Sequence, residues 1–125
     1  MDPDDAARCV QLGVEGVWVS NHGGRQLDHS EAPISVLPEI AQASQSLSAS
    51  ASLSCAGPEW MRLPQAVAGR ATIIIDSGFM RGTDVVKAMA LGADLVGVGR
   101  MAAFALAAGG EEGVVKFVRS NLLIF

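Results

Sequence analysis

The polar segment at residues 20–28, Ser-Asn-His-Gly-Gly-Arg-Gln-Leu-Asp, holds the side chains best suited to chemistry. His22 can accept a proton near neutral pH, and Arg25 can hold a carboxylate through two parallel hydrogen bonds. The two glycines between them let the backbone approach a ligand closely. The segment predicts an anion-binding turn that carries a base. The alternative is a structural turn in which His22 caps a neighbouring carbonyl.

Two later turns combine glycine with arginine where a helical pattern begins. Residues 76–83 read Asp-Ser-Gly-Phe-Met-Arg-Gly-Thr, and Gly99 and Arg100 follow one unit later. The free N–H groups and the dipole of a helix N-terminus favour an anion. Barrel enzymes often bind a phosphate at the loops after strands 7 and 8. Together the two turns predict a phosphate site. Arg25, Arg81 and Arg100 would make the end of the sheet that carries these turns locally positive. The alternative is that each glycine is only a turn residue and each arginine only a surface charge.

The elements that must position these turns alternate between strand and helix. Apolar runs at residues 16–20, 71–75 and 95–98 predict buried strands. Helices are predicted from Asp2 and Pro3 to a stop at Gly13, over 37–43, over 83–91, and over 102–108 and 111–119. Such alternation predicts an α/β fold whose parallel sheet is covered on both faces. It amounts to about three βα units, whereas a complete (β/α)8 barrel takes about 250 residues.

One stretch departs from that rhythm. Serine occupies every second position from Ser44 to Ser54, and two prolines follow. Connections in α/β units usually have about 2–6 residues. We therefore predict a flexible insertion at residues 44–69. Trp18 and Trp60 are interpreted as packing residues.

Composition narrows the class of protein. The chain has 125 residues, 13 acidic and 9 basic, for a net charge of −4; 50% are hydrophobic and 18% charged. These values favour one globular domain and exclude a disordered chain or a general nucleic-acid binder. The longest apolar candidate for a membrane span is interrupted by Arg100, and the acidic start lacks a secretory signal. A cytoplasmic protein is expected.

Other chemistries find little support. Cys9 and Cys55 form neither a disulfide framework nor a Cys-x-x-Cys pair, so reduced thiols are expected. His22, Asp28 and His29 match no standard metal-site spacing, and no metal is predicted. The Gly-x-Ser-x-Gly elbow of a serine nucleophile is absent from the sequence.

Three motifs together resemble one family. Residues 20–28, the run Asp-Ser-Gly-Phe-Met-Arg-Gly-Thr-Asp-Val-Val-Lys-Ala-Met-Ala-Leu-Gly-Ala at 76–93, and Val-Gly-Val-Gly-Arg at 96–100 closely resemble the FMN-dependent α-hydroxy acid dehydrogenases and oxidases. The resemblance covers residues 2–37 and 71 to about 118. It implies the C-terminal part of a TIM barrel that oxidises a small 2-hydroxy acid to a 2-oxo acid, with FMN as cofactor, and a homo-oligomeric intact enzyme.

The resemblance also implies residue roles. His22 would be the active-site base, and Arg25 would hold the substrate carboxylate. Asp76 would bind the ribityl chain, while Gly78 and the Gly99–Arg100 pair would bind the FMN phosphate. The expected cofactor-binding set is Ser20, Asp76, Ser77, Gly78, Phe79, Met80, Arg81, Gly99 and Arg100.

The sequence departs from the family pattern in several places. Family members have an arginine for the FMN phosphate at the position of Met80, where Arg81 is the nearest substitute. The family's active-site tyrosines, its flavin-contacting lysine and the aspartate that orients the base lie on strands that precede residue 1. Both ends resemble internal family segments. We therefore expect the isolated chain to lack oxidase activity and to self-associate.

Two alternatives stay open. The Gly-Arg turns also suit another FMN- or phosphate-binding barrel, such as an isomerase or a nucleotide dehydrogenase. A non-enzymatic, truncated half-barrel is the third hypothesis. Weak flavin binding and indifference to exchange of His22 would favour that last reading.

Overall fold

The structure, a computed structural model of the chain, describes residues 2–47 and 71–122. The elements run in the order α1 (Pro3–Gln11), β1 (Gly16–Val19), a single 3-10 turn (His22–Gly24), α2 (Pro33–Leu47), β2 (Thr72–Ile75), α3 (Gly82–Ala90), β3 (Leu95–Val96) and α4 (Arg100–Leu122). Every strand and helix predicted in the described ranges is present, and β3 is two residues shorter than expected.

Helix α1 begins as the sequence predicts. The Asp2 carboxylate is the N-cap and accepts a hydrogen bond from the Asp4 N–H at 2.9 Å, and Pro3 fills the first helical position. Gly13, just beyond the helix, has φ +80° and ends it as expected.

Helix α2 is longer than the predicted 37–43. It starts at Pro33, because proline is well suited to the first turn of a helix, and it runs to Leu47. Residues 44–47 of the predicted insertion therefore continue a helix, which corrects that boundary. The remainder of the insertion, residues 48–69, lies outside the described residues, as does Trp60.

The three strands form one parallel sheet in the order β1-β2-β3. Trp18 is paired with Ile74, and Ile74 with Leu95, so these three side chains share one face of the sheet. The parallel pairing confirms the α/β class. It also brings the carboxyl ends of all three strands to one edge.

The core lies on the other face. Val17, Val19, Ile73 and Ile75 are almost fully buried there. Helices α1 and α2 pack against each other on this side, and the core also takes in Ala6, Leu37 and Ile40. Full burial of each large aliphatic side chain contributes about 1.5–3 kcal/mol.

The face that carries Trp18 is open in the described part of the chain. Trp18 is 55% exposed and Leu95 43% exposed. The expectation of a sheet covered on both faces is therefore wrong for residues 2–47 and 71–122. Trp18 as a packing residue is wrong for the same reason: strand side chains alternate, and the two valines of β1 take the core face.

The last helix is interrupted. Gly109 and Gly110 have non-helical backbones, and Gly110 combines φ 58° with ψ −145°, a conformation essentially restricted to glycine. The two helical segments predicted at 102–108 and 111–119 are confirmed, although the first begins at Arg100. Within the described ranges, no helix has the length and apolar composition needed to cross a membrane.

Candidate active site

Three turns leave the sheet at its carboxyl edge, one after each strand. The first carries His22, the second follows Ile75, and the third joins Val96 to the start of α4 at Arg100. The layout follows from the parallel register, because every strand then points its C-terminal end the same way. The residues singled out in the sequence are therefore collected at one edge.

The histidine turn is tightly folded. His22, Gly23 and Gly24 all have positive φ, at 57°, 74° and 70°. The Ser20 Oγ accepts from the His22 N–H at 3.0 Å, and the Asn21 Oδ1 accepts from the Gly24 N–H at 3.0 Å. These bonds satisfy amides that the sharp turn removes from regular pairing.

Asn21 is a site residue that the sequence analysis did not single out. Besides its bond to Gly24, its side-chain amide donates to the Glu31 carbonyl at 3.2 Å and so ties the turn to the segment before α2. An asparagine directly after a strand is a known turn-forming signal, and that signal could have identified it.

The second turn contacts the first. The Ser77 hydroxyl accepts from the Gly23 N–H at 3.0 Å and donates to the Asp76 Oδ1 at 2.8 Å. Asp76 and Ser77 are both half-buried. A residue at the end of β2 thus holds the backbone beside His22.

The third turn reaches the same place. A Cβ on Gly23 would lie 3.3 Å from the Nη2 of Arg100, so the guanidinium group lies against this glycine. Helix α4, which Arg100 begins, has no acidic residue in its first turn. Its N-terminal amides and Arg100 therefore offer an uncompensated positive end.

The start of helix α3 differs from the start of α4 in that its backbone amides are already occupied. The sequence analysis had predicted the same phosphate-binding role for both helix starts. The Asp84 Oδ2 accepts from the Met80 N–H at 3.3 Å and from the Arg81 N–H at 3.1 Å. A carboxylate already binds these amides, and its charge opposes a second anion at the same place. The geometry therefore favours the start of α4 for a phosphate.

The remaining predicted site residues lie as follows. Arg25 closes the histidine turn and is exposed, as are Gly78, Arg81 and Gly99. Met80 is 60% exposed. The Phe79 side chain, in contrast, is buried in the core cluster, where it packs rather than faces a ligand.

A cleft of about 710 Å³ is lined in part by the histidine turn itself, at Asn21 and His22. Its described lining contains the acidic residues Asp2, Glu31 and Glu39 and no lysine or arginine. A carboxylate substrate would be repelled there. The part of the turn at Gly23, against which the Arg100 guanidinium lies, is electrostatically the better place for an anion.

Comparison with known proteins identifies the family. The family model described as FMN-dependent dehydrogenase matches residues 1–121. The chain belongs to the FMN-dependent dehydrogenase family. The motif resemblance drawn from the sequence is confirmed.

Individual relatives agree with this assignment. The chain is 44% identical to a peroxisomal (S)-2-hydroxyacid oxidase of Arabidopsis thaliana, over 92% of the chain and 25% of that protein. It is 44% identical to an L-lactate oxidase of Lactobacillus jensenii, over 94% of the chain and 23% of that protein. The chain thus spans about a quarter of the length of the curated relatives it matches.

Solved structures share the fold of this region. A mandelate oxidase variant with a monooxide FMN adduct superposes with a TM-score of 0.74 at 37% identity, over 96% of this chain and 31% of that one. A lactate oxidase of Pediococcus acidilactici gives 0.72 at 39% identity, over 95% and 27%.

Proposed function

We propose that this chain forms three βα units of a (β/α)8 barrel that oxidises a small 2-hydroxy acid to a 2-oxo acid with FMN. The observation that carries the proposal is the position of Gly23, which contacts both Ser77 and Arg100. The predicted base, the predicted ribityl-binding loop and the predicted phosphate-binding helix thereby meet at one edge. Family membership disfavours the alternative of an isomerase or nucleotide dehydrogenase barrel.

The residues at the start of α4 fit the phosphate of FMN. Arg100 supplies a charge, the first amides of the helix supply donors, and Gly99 has open space where a side chain would stand. Met80 does not fit, because a thioether cannot offset a phosphate charge. Arg81 is next in sequence, but its backbone amide is bound by Asp84.

His22 and Arg25 lie three residues apart on one exposed turn. Arg25 would hold the carboxylate of the 2-hydroxy acid, and an imidazole nitrogen of His22 would take the proton of the substrate hydroxyl. Bound FMN supplies the two-electron acceptor that the chain's own side chains lack. The protein contributes orientation and charge, which are the usual sources of such catalysis.

A chimera tests the proposal, because it supplies the remaining length of a relative of which this chain spans 23%. The matched region of the L. jensenii L-lactate oxidase is replaced by this chain, and the product is called the chimera below. We expect the chimera to bind FMN and oxidise L-lactate. In His22→Asn, kcat falls by about 10²–10⁴-fold while FMN stays bound, as for loss of a general base.

The matched control is His29→Asn, at the other histidine of the chain, which is exposed and four residues beyond Arg25. It should leave turnover unchanged. An FMN-loaded chimera that turns over equally well with His22→Asn would contradict the proposal.

Several expectations remain predictions. They are the flexible insertion at 48–69, homo-oligomers of the intact enzyme, a cytoplasmic location, and the inactivity of the isolated chain. The names of the Arabidopsis relatives place those proteins in the peroxisome.

A further inference from the structure

The backbone of Ser77 is unusual for its residue type. Its φ is 75°, in the left-handed region that residues with a Cβ rarely adopt. Gly78 follows with φ 91°, so the turn bends through two consecutive left-handed residues. Glycine would adopt the first of these conformations at lower cost. The turn thus carries a hydroxyl group at a position where glycine would be less strained.

The Ser77 hydroxyl group forms two hydrogen bonds. The single O–H donates to the Asp76 Oδ1 at 2.8 Å, and an oxygen lone pair accepts from the Gly23 N–H at 3.0 Å. The second partner lies 54 residues away in the chain. One side chain thus joins a carboxylate at the end of β2 to the backbone of the turn after β1.

The other side-chain bonds to amides of this turn are local. Ser20 and Asn21, which bind the His22 and Gly24 amides, come from the end of β1 itself. They shape the turn but move with it. The bond from Gly23 to Ser77 fixes its position relative to the neighbouring strand.

We propose that Ser77 is a positioning residue whose hydroxyl holds the His22 turn at a fixed distance from the Asp76 carboxylate. The assignment deepens the proposed function, since His22 and Asp76 are the base and the cofactor-binding group of that function. It differs from the role implied by resemblance, in which Ser77 itself binds the cofactor. The link between the two turns exists without cofactor and is testable without turnover.

The test uses nuclear magnetic resonance on the isotope-labelled 125-residue chain that carries Trp18→Thr and Leu95→Thr on its exposed sheet face, so that self-association is reduced. The same Ser77 variants are also made in the chimera. Ser77→Ala removes the hydroxyl and keeps the left-handed backbone cost, whereas Ser77→Gly removes both. Ser120→Ala is the matched control, because its hydroxyl donates to the Phe117 carbonyl of its own helix, far along the chain from the histidine turn. The readouts are exchange of the Gly23 amide, the His22 Hε1 signal and the urea midpoint of unfolding.

We expect both Ser77 variants to accelerate Gly23 exchange by roughly two- to tenfold, as for one lost net hydrogen bond. Both should shift the His22 signal, while His29, the only other histidine of the sequence, is unaffected. The urea midpoint should separate the two variants, with Ser77→Ala below Ser77→Gly. The rate of Gly23 amide exchange would then depend on whether the Ser77 hydroxyl is present. The urea midpoint would depend on whether residue 77 has a Cβ in its left-handed conformation.

Unchanged Gly23 exchange in both variants would overturn the proposal, as would exchange that follows the urea midpoint instead of the hydroxyl. An equal effect of Ser120→Ala would overturn it as well. A chimera that binds no FMN would contradict the proposed function but would not alter the exchange result, so the two failures are distinguishable.

Discussion

Gly23 lies directly against the guanidinium group of Arg100, so that a Cβ on this glycine would be 3.3 Å from Nη2 and 3.9 Å from Cζ. The glycine also has φ +74°. Two independent requirements therefore meet at one position: a left-handed backbone and room for an arginine. Gly24, next in sequence, has a similar φ of +70° and open space where its Cβ would stand.

This pair of glycines allows a matched prediction. In the chimera, Gly23→Ala and Gly24→Ala should each lower the free energy of unfolding by about 1–2 kcal/mol, the cost of a left-handed residue with a Cβ. Gly23→Ala should in addition weaken FMN binding severalfold, because the new methyl group displaces Arg100. Flavin fluorescence titration measures the affinity. Equal FMN affinity in the two variants would show that Arg100 does not depend on Gly23.

Met80→Arg should strengthen FMN binding. Met80 is 60% exposed and lies at the turn after β2, where the motif resemblance implies a phosphate-binding arginine in family members. A charge-assisted contact to a phosphate contributes about 1.5–3 kcal/mol, reduced here by solvent exposure. We therefore expect about a tenfold lower Kd in the chimera, and a gain that shrinks as salt rises.

Met89→Arg is the control for that substitution. Met89 is also exposed and lies on helix α3. An arginine at this position adds the same charge away from the carboxyl edge of the sheet. It should leave the FMN affinity nearly unchanged. If both arginines tightened binding equally, the gain would reflect net charge and not a local phosphate contact.

Local signals explain why much of the fold was predictable. The Asp2–Pro3 start of α1, the glycine stop at Gly13 and the break at Gly109 and Gly110 each depend on the conformational preference of the residue itself. The apolar runs of the strands are equally local. The gathering of the site residues then follows from parallel pairing alone.

The parts that could not be predicted depend on contacts between distant residues. No sequence spacing relates Ser77 to Gly23, which only the sheet register brings together. The starts of α3 and α4 have the same combination of glycine and arginine in the sequence. They differ because Asp84 accepts hydrogen bonds from the Met80 and Arg81 amides at the start of α3, which leaves the start of α4 as the better phosphate site. The exposure of Trp18 was not predicted, because an unbroken apolar run does not show which of its side chains lie on which face of the strand.

The exposed sheet face makes self-association of the isolated chain testable. Trp18 and Leu95 lie on one face, and apolar patches of this kind drive association. We expect the 125-residue chain to sediment as oligomers at micromolar concentration. The double variant Trp18→Thr and Leu95→Thr should shift it toward monomers. Leu12→Thr is the control, since Leu12 is 76% exposed and lies at the end of α1; an equal effect there would contradict a role of the sheet face.

The packing of α2 on the turn after α3 gives the sharpest stability prediction. Gly92 has φ +105°, and a Cβ on it would be 2.7 Å from the Cβ of Ala41, which is itself 4% exposed. Gly92→Ala should therefore combine the left-handed cost with overpacking, for a loss of about 2–5 kcal/mol in the free energy of unfolding. Gly13→Ala, with φ +80° and open space at its Cβ, isolates the backbone cost of about 1–2 kcal/mol.

A double-mutant cycle then separates the clash from the backbone. Ala41→Gly removes the methyl group that Gly92→Ala would meet, so the double variant should recover the overpacking part and retain the left-handed part. The coupling energy between the two sites, measured by urea unfolding, should be at least about 1 kcal/mol in the restoring direction. Strict additivity would show that the backbone moves to accommodate the methyl group, and that α2 and the turn at Gly92 are not in the close contact described above.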